Sequence, residues 1–352
     1  MSMVSVQNKI SSIGLEIDAH EFRAVQLMSG PKGTKTLAWA VFPRLGNDDV
    51  AARKSLPNAD ELRWASSILG RRGFVGRTVS ISPSTAECTS HIMELPPVDS
   101  GAPIEQLARM EVARANKCAP NEFELGYWSL PAKGRTAETL AVACPRPIID
   151  CLIEQFSQAG MTPVGIDLME LAICRGGQTE LVEDDKEINA SLHIGWASSL
   201  AVLTLGNTVM YVRRIERGAS SVWDLATGRY KLSPRSADSV IDDSHQQSLD
   251  DVAANMRKSA WSGLAFELAN ELDVAIAYVS NSYRFAPFGK IRLSGYGTSN
   301  SVIEEQLDKV LGIPVSNTPP VALVEAIGAG RDSWSMACRL AVPYGLAARF
   351  DR

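Results

Sequence analysis

SSIGLEIDAHEFRAVQL, residues 11–27, reads as a strand, a tight turn and a second strand. "IGLEI" and "FRAVQL" carry the apolar pattern of paired strands. The turn between them is Asp18, Ala19, His20 and Glu21. Loops that hold a triphosphate often place glycine and serine at such a turn, because glycine lets backbone N–H groups approach an oxyanion closely. Here two acids and a histidine stand in their place.

Strand signals run from Val4 to Leu27, and "SGPKGTK" follows as a Gly/Pro turn. "TLAWAVFP" is a third strand, residues 44–59 a polar loop, and residues 61–70 a helix with Leu62, Ala65, Ile68 and Leu69 on one face. "TVSISPS" and "CTSHIMELP" are expected to pair around a Ser-Pro-Ser turn. The helix "APIEQLARMEVARANKCAP" comes next. The strands "FELGYWSL" and "ETLAVACP" pair around a Lys-Gly-Arg turn. The helix "PIIDCLIEQFSQAG" has Pro147 in its first turn and Gly160 at its exit, and "TPVGIDL" is a strand. These segments make a small α+β module.

"GGQTELVEDDKE", residues 176–187, is a Gly-rich acidic linker. Beyond it the opening returns: "ASLHIGWASSLAVLTL" is again strand, turn, strand, and "NTVMYVRRIERG" supplies a third strand. Residues 234–251 are polar, a loop or short helix. A long apolar helix covers 263–283, and "KIRLSGYGTS" is a strand entering a glycine loop. "SVIEEQLDKVLG" is a helix, "IPVSNT" a short strand, and "SMACRLAVPYGLAARF" a last apolar helix that Pro343 kinks or starts. Two halves that open alike, with a module inserted in the first, are the plan of an actin-like α/β fold.

Composition sets outer bounds. The chain has 352 residues, 45% apolar and 21% charged, enough for more than one core. A formal charge of −5 argues against nucleic acid as a partner. The basic clusters Arg71–Arg72 and Arg213, Arg214, Arg217 read as solvated surface. Six cysteines without a C-x-x-C pair fit buried thiols in a reducing cytoplasm, not a zinc site or disulfide framework. The N-terminus lacks signal-peptide character, and no run reaches the ~18 apolar residues of a membrane span. A soluble chain that reaches a membrane only through a partner is the expectation.

The chain resembles the PilM family of type IV pilus assembly proteins, which are actin-like and close in plan to FtsA. "IGLEIDAHEFRAVQL" looks like the family's opening I-G-I-D-I-G-S-S-S-V-K. "TVSISPSTAECTSHIMELP" is similar to its strand pair ending E-L-P, and "RMEVARANKCAP" to its R-x-E-A-x-K/R helix. "AVACPRPIIDCLIEQFSQAGMTPVGIDLMELAICR" is similar to its A-G-L-x-P helix and following strand. "LHIGWASSLAVLTLGNTVMYVRRI" looks like D-I-G-x-S-S-T-x-L with an R-x-I strand, and "IRLSGYGTS" with "LGIPV" like L-S-G-G-G with L-G-I-P-V.

The resemblance implies a duplicated ribonuclease H-like fold. Residues 1–90 with 330–352 would form the first subdomain and 91–175 the inserted subdomain. Residues 188–330 would form the second half, with an insertion at about 220–288. It implies a cytoplasmic scaffold, held at the inner membrane by the short tail of a PilN-like protein. That scaffold would link to the motor and platform proteins of a pilus, competence or type II secretion machine, and a homo-oligomer is open. It also implies ATP with Mg²⁺ in the cleft between the halves.

By the same resemblance the cleft would be lined by Glu16, Asp18, Ala19, His20, His193, Gly195, Ala197, Ser198, Gly295 and Gly297. Glu16 stands at the metal carboxylate, Asp18 at a glycine, and Ala19, His20 and Glu21 at serines. His193 replaces the second turn's Asp and is a poor ligand for a hard cation. Gly295 and Gly297 suit close approach to an adenosine, though Tyr296 between them is bulky. Like charges ~4 Å apart repel by roughly 4 kcal/mol at an effective dielectric near 20, against ~8 kcal/mol for micromolar binding. Three outcomes stay open: tight turns that have lost their ligand, metal-free nucleotide binding, and hydrolysis.

The tail groove would lie between the first subdomain and the module, near Arg109, Glu111, Val112 and Arg114, though an ordinary solvated helix face is equally open. No catalytic or metal-ligating residue is assigned. The four histidines show no ligand spacing, and no G-x-S-x-G elbow is present. The competing class is an active actin-fold ATPase or small-molecule kinase, whose base would be Asp167 or Asp18.

Overall fold

The computed structural model describes residues 9–31, 33–45, 56–97, 100–131, 138–177, 186–241, 251–298, 300–328 and 330–351. The first half contains β1 (Lys9–Ile10), β2 (Ile13–Ile17), β3 (Glu21–Gly30), β4 (Gly33–Pro43), α1 (Ala59–Arg71) and β5 (Thr78–Ile81). The module follows with β6 (Thr89–Glu94), α2 (Ile104–Asn116), β7 (Phe123–Ser129) and β8 (Glu138–Pro145). Then come α3 (Arg146–Gln158), β9 (Thr162–Ile166) and α4 (Met169–Gly177). The second half has β10 (Ile188–Ile194), β11 (Ser199–Leu205), β12 (Thr208–Ile215), α5 (Ala219–Asp224), a π-helical turn (Leu225–Arg229), α6 (Pro234–Ile241), α7 (Asp251–Ser282), β13 (Phe288–Gly295), α8 (Ser301–Leu311) and β14 (Val315–Ser316). The chain closes with α9 (Val321–Ile327), α10 (Arg331–Arg339), α11 (Ala341–Ala347) and a 3-10 turn (Ala348–Asp351).

The two large sheets share one plan. The first runs β4-β3-β2-β5-β9, with β1 also against β3, and the second runs β12-β11-β10-β13-β14. In each, a strand pairs antiparallel with the next strand in sequence and parallel with a later one. Register places Ile17 opposite Phe22 in the first hairpin and Ile194 opposite Ser199 in the second. Both hairpin turns therefore point to the same end of their sheets, where the halves face one another. β10 and β11 are buried along their whole length, as expected for strands covered on both faces.

Helices α4 and α11 form the packed base between the halves. Val342 and Leu346 meet Ala172 and Ile173, and the same cluster includes Leu200, Val202 and Val209 of the second sheet. Two glycines let the backbones approach. A Cβ on Gly345 would strike the Ala172 carbonyl, and one on Gly176 the Ala341 carbonyl. The module packs Leu130 and Leu140 into the same cluster, and Trp128 Nε1 donates to the Val209 carbonyl at 2.7 Å.

Several local expectations change. Residues 78–81 and 89–94 do not pair: β5 is a buried strand between β2 and β9, while β6 belongs to the separate sheet β6-β8-β7. The buried "TVSI" suits a central parallel strand, and half-exposed β6 suits a module edge. β9, read with the module, pairs with β5 in the first sheet, and α3 packs Leu152 and Phe156 on that sheet's core. Gly176 and Gly177 end α4 instead of opening the linker, and the lack of a side chain at Gly176 serves the contact with α11. The early turn shortens to the tip of a β3–β4 hairpin. α7 starts twelve residues before the expected Gly263, and α5, the π turn and α9 are additional. Pro343 lies in the first turn of α11, where its missing N–H costs no helical bond. The strand at residues 4–8, much of the 44–59 loop, the Lys-Gly-Arg turn, linker residues 178–185 and residues 242–250 lie outside the described residues.

The glycine contacts give a stability prediction. Gly345→Ala should lose about 3 kcal/mol through overpacking. Gly70→Ala, in a helix with open space around it, should gain up to ~1 kcal/mol. Urea unfolding of both variants checks this; equal effects would contradict the packing account.

Candidate functional site

The first hairpin turn is organised by its own side chain. Asp18 Oδ1 accepts the backbone N–H groups of His20 at 2.7 Å and Glu21 at 2.8 Å. These are the donors that a phosphate-binding turn turns outward. Asp18 Oδ2 accepts from the Tyr296 hydroxyl at 3.0 Å and pairs with the Arg23 guanidinium.

Arg23 is wholly buried on β3. Its Nη1 donates to Glu16 Oε2 at 3.1 Å and to the Arg339 carbonyl at 3.3 Å. Its Nε lies 2.9 Å from Glu21 Oε1, close enough for an ion pair but out of line for a hydrogen bond. Arg339 donates to both Glu21 oxygens, at 2.8 and 2.7 Å. From the second half, His193 Nε2 sits 3.4 Å from Glu16 Oε1, and His193 Nδ1 is 3.0 Å from Ser294 Oγ. The Arg23 and Arg339 guanidinium carbons lie 4.8 and 5.0 Å from the Tyr296 ring centre, within cation–π range.

These partners set the protonation states. Burial pushes the Asp18 carboxyl up, but Arg23, the Glu21 and His20 amides and the His20 imidazole outweigh it and hold it below its ordinary value. Burial, reinforced by Asp18 and Glu21, pushes the Tyr296 phenol well up, so it stays a donor. The acids do not face the cleft as bare charge, which corrects the expectation of simple repulsion. They are internal partners of Arg23 and Arg339.

An aromatic wall completes the closure. His20 stacks on Trp196 with centroids 4.1 Å apart and planes 7° apart, and Trp196 meets Tyr296 edge-on at 5.7 Å. A cavity of about 420 Å³ is lined by Glu16, Asp18, Ala19, His193, Gly195, Ala197 and Ser198, among others. Those are seven of the ten cleft residues expected from sequence. His20 instead lines a separate cavity of about 280 Å³ with Glu21, Tyr296 and Arg339. The two cavities share no lining residue. Gly295 and Gly297 line neither: a Cβ on Gly295 would strike the Ile194 carbonyl, and one on Gly297 the Trp261 indole. Their left-handed backbone, at φ +90° and +70°, serves internal packing.

On the module, Val112 is buried in the core with Phe123, Ala141 and Ala143. Arg109 is half-buried, donating to Glu105 Oε1 at 3.2 Å and the Phe123 carbonyl at 3.1 Å, whereas Arg114 is exposed and pairs with Glu111. A groove of about 610 Å³ lies beside them, lined by Thr89, Cys118, Phe123, Ala143, Pro145 and Arg146 among others. None of the four expected partner residues lines it. Asp167 pairs with Arg175, as Asp18 does with Arg23.

Arg23, Trp196, Tyr296 and Arg339 are the residues of this site that the sequence left unassigned. The one advance signal was Arg23 itself, an arginine inside an apolar strand with three acids within seven residues.

Two sheets that repeat one strand plan, paired hairpin turns and an inserted module define the actin-like fold. No family model matches the sequence, and no curated protein matches it. Among solved structures, the chain is similar to the PilM-PilN type IV pilus biogenesis complex. Identity is 20%, the TM-score 0.76, and 96% of this chain and 98% of that chain are covered. It is also similar to the ethanolamine utilization protein EutJ from Carboxydothermus hydrogenoformans, at 9% identity and TM-score 0.53, covering 96% and 89%.

Two outcomes follow for the network. Arg23→Met should lose about 3–5 kcal/mol, because it leaves buried carboxylates unpaired. A depressed folded pKa means that the stability from Asp18 is present above its unfolded value near 3.8 and lost as pH falls through the lower folded value. Asp18→Asn should therefore flatten the acid limb of the stability profile below about pH 4. Urea unfolding against pH reads both, and an unchanged acid slope would contradict the assignment.

Proposed function

We propose that this chain is a scaffold of a type IV pilus, competence or related type II secretion machine, and that its cleft is closed internally instead of by nucleotide. One observation carries the proposal: Asp18 already accepts the turn's two amides, and Glu16 is already held by Arg23 and His193. A magnesium–triphosphate needs those same groups, which are already engaged within the chain. The residues present do not fit that ligand, and no hydrolytic step is derived through it. The kinase alternative is weakened on the same ground, since Asp18 and Asp167 are both bound to guanidinium groups.

The role of a scaffold is to hold a partner, and the module offers the surface. Its groove combines apolar Phe123, Ala143 and Pro145 with the polar rim of Thr89 and Arg146, a chemistry suited to a short extended peptide. We take that peptide to be the cytoplasmic tail of a PilN-like inner-membrane protein. The similarity to the PilM-PilN complex over nearly the full length of both chains supports this choice. Among the described residues no helix is long and apolar enough to cross a membrane. Membrane association would therefore run through the partner, with motor and platform proteins as further neighbours and a homo-oligomer possible by the same resemblance.

Purified protein should show no Mg²⁺-dependent ATP turnover above background, and Glu16→Ala should change nothing. Turnover abolished by Glu16→Ala would overturn the scaffold reading. Calorimetry with the N-terminal tail peptide of a membrane protein encoded beside this chain should show binding. Thr89→Trp, which fills the groove from its exposed rim, should weaken it at least ~10-fold. Arg114→Ala, outside the groove, should leave it within ~2-fold; the reverse pattern would move the site to the α2 face.

A further inference from the structure

Cys88 immediately precedes β6, and Cys144 lies near the end of β8. The ladder pairs Thr89 with Ala143 and Ser90 with Val142 antiparallel. Extending that register by one residue sets Cys88 opposite Cys144. Residues directly opposite across antiparallel strands point to the same face. Here it is the face of Ile92 and Leu140, turned toward α4 and the second half, whereas Ala141 and Ala143 face α2. Opposite residues in such ladders have Cα atoms ~4.5–5.5 Å apart, inside the ~4.4–6.8 Å that a disulfide spans.

The pairing couples the two thiols: Cys88 holds the Cys144 pKa below its ordinary value, while Cys144 and burial push that of Cys88 up, as in a dithiol that shares one proton. Cys144 is buried and Cys88 half-exposed, so solvent reaches the pair from the Cys88 side. Both are free thiols.

We propose that Cys88 and Cys144 form a reversible thiol–disulfide modification site whose substrate class is a low-molecular-weight disulfide such as oxidised glutathione. The pair's thiolate attacks one sulfur of that disulfide, forming a mixed disulfide and expelling one glutathione thiolate, which takes up a proton. The second cysteine loses its proton and attacks the protein sulfur of the mixed disulfide. The Cys88–Cys144 bond forms and a second glutathione leaves. Two protein thiols are oxidised and one external disulfide is reduced to two thiols, so atoms and electrons balance.

The position gives the bond a consequence. Residues 82–86, just before Cys88, line the 420 Å³ cavity at the hairpin turns, and Thr89, just after it, lines the module groove. A covalent staple at Cys88 fixes the segment that joins these two features. It also closes a long loop of chain, which stabilises the fold by restricting the unfolded state.

The test incubates the full chain in a glutathione redox buffer, quenches it in acid, alkylates it under denaturing conditions and maps the peptides. Two of the six thiols should lose reactivity, with Cys88 joined to Cys144 and both restored by dithiothreitol. The Tm should rise by a few degrees on oxidation in the wild type and not in Cys88→Ser. Cys144→Ser removes both the partner that raises the Cys88 pKa and the thiol that would resolve an adduct, so it should trap a lasting glutathione adduct on the half-exposed Cys88. Six reactive thiols after oxidation, a bond between another pair, or a glutathione adduct persisting on Cys88 of the wild type would each overturn the proposal. None of these readouts depends on the pilus reading, so the two stand or fall separately.

Discussion

Arg23 lies at zero exposure among three carboxylates, those of Glu16, Asp18 and Glu21. Burying a charge is unfavourable unless it is paired and hydrogen-bonded. One guanidinium does not satisfy three acids, so the balance is completed by Arg339, His193 and the Tyr296 hydroxyl. These groups come from β2, the turn after it, β3, the end of α10, β10 and the residue after β13. Two come from the half opposite Arg23. The ion-pair network is therefore also a contact between halves, and its satisfaction requires that the cleft be closed.

In a two-state cleft, a ligand shifts the equilibrium only by binding one state better than the other. Here the differential interaction is supplied by the chain. The stacked pair His20–Trp196 and the Tyr296–Asp18 hydrogen bond exist only when the halves are together. At the base, α4 and α11 approach at glycines and leave no room for sliding. Clamped at both ends, the two halves act as one support for the module, which Trp128 anchors to β12. Such rigidity is what the proposed scaffold role asks of the element that carries the groove.

The sequence made the duplicated hairpins legible because a five-to-seven-residue apolar run, a polar turn and a second run occur at the start of each half. It mis-paired β5 with β6 because adjacent strands joined by Ser-Pro-Ser look like a hairpin. Only tertiary packing shows that "TVSI" is enclosed between two parallel neighbours. Seven of the ten cleft positions converge on one cavity, since they belong to the two strand–turn–strand hairpins that the repeat defines. Gly295 and Gly297 do not, because close approach was legible while the approaching group was not: it is Ile194 and Trp261, from within the chain. The acids were visible as charge, but their partners Arg339 and Tyr296 lie some three hundred residues away in sequence. Local pattern carries no information about such contacts.

Asp18 occupies a double position in this logic. By character it opposes an incoming polyanion, yet by geometry it does what a phosphate oxygen does in such a turn, accepting consecutive backbone amides. The turn thus keeps its donor geometry while the acceptor comes from inside the chain. Removing Asp18 alone would free two amides and leave Arg23 facing only Glu16 and Glu21. It would not remove the His20–Trp196 stack, in which Trp196 lines one cavity and His20 the other. Nor would it open the glycine loop, where the Trp261 indole fills the space beside Gly297. Acidic turn, aromatic wall and filled loop are separate obstacles in different elements. No single substitution reverses all three, and each contributes packing or pairing to the closed state that the module rests on.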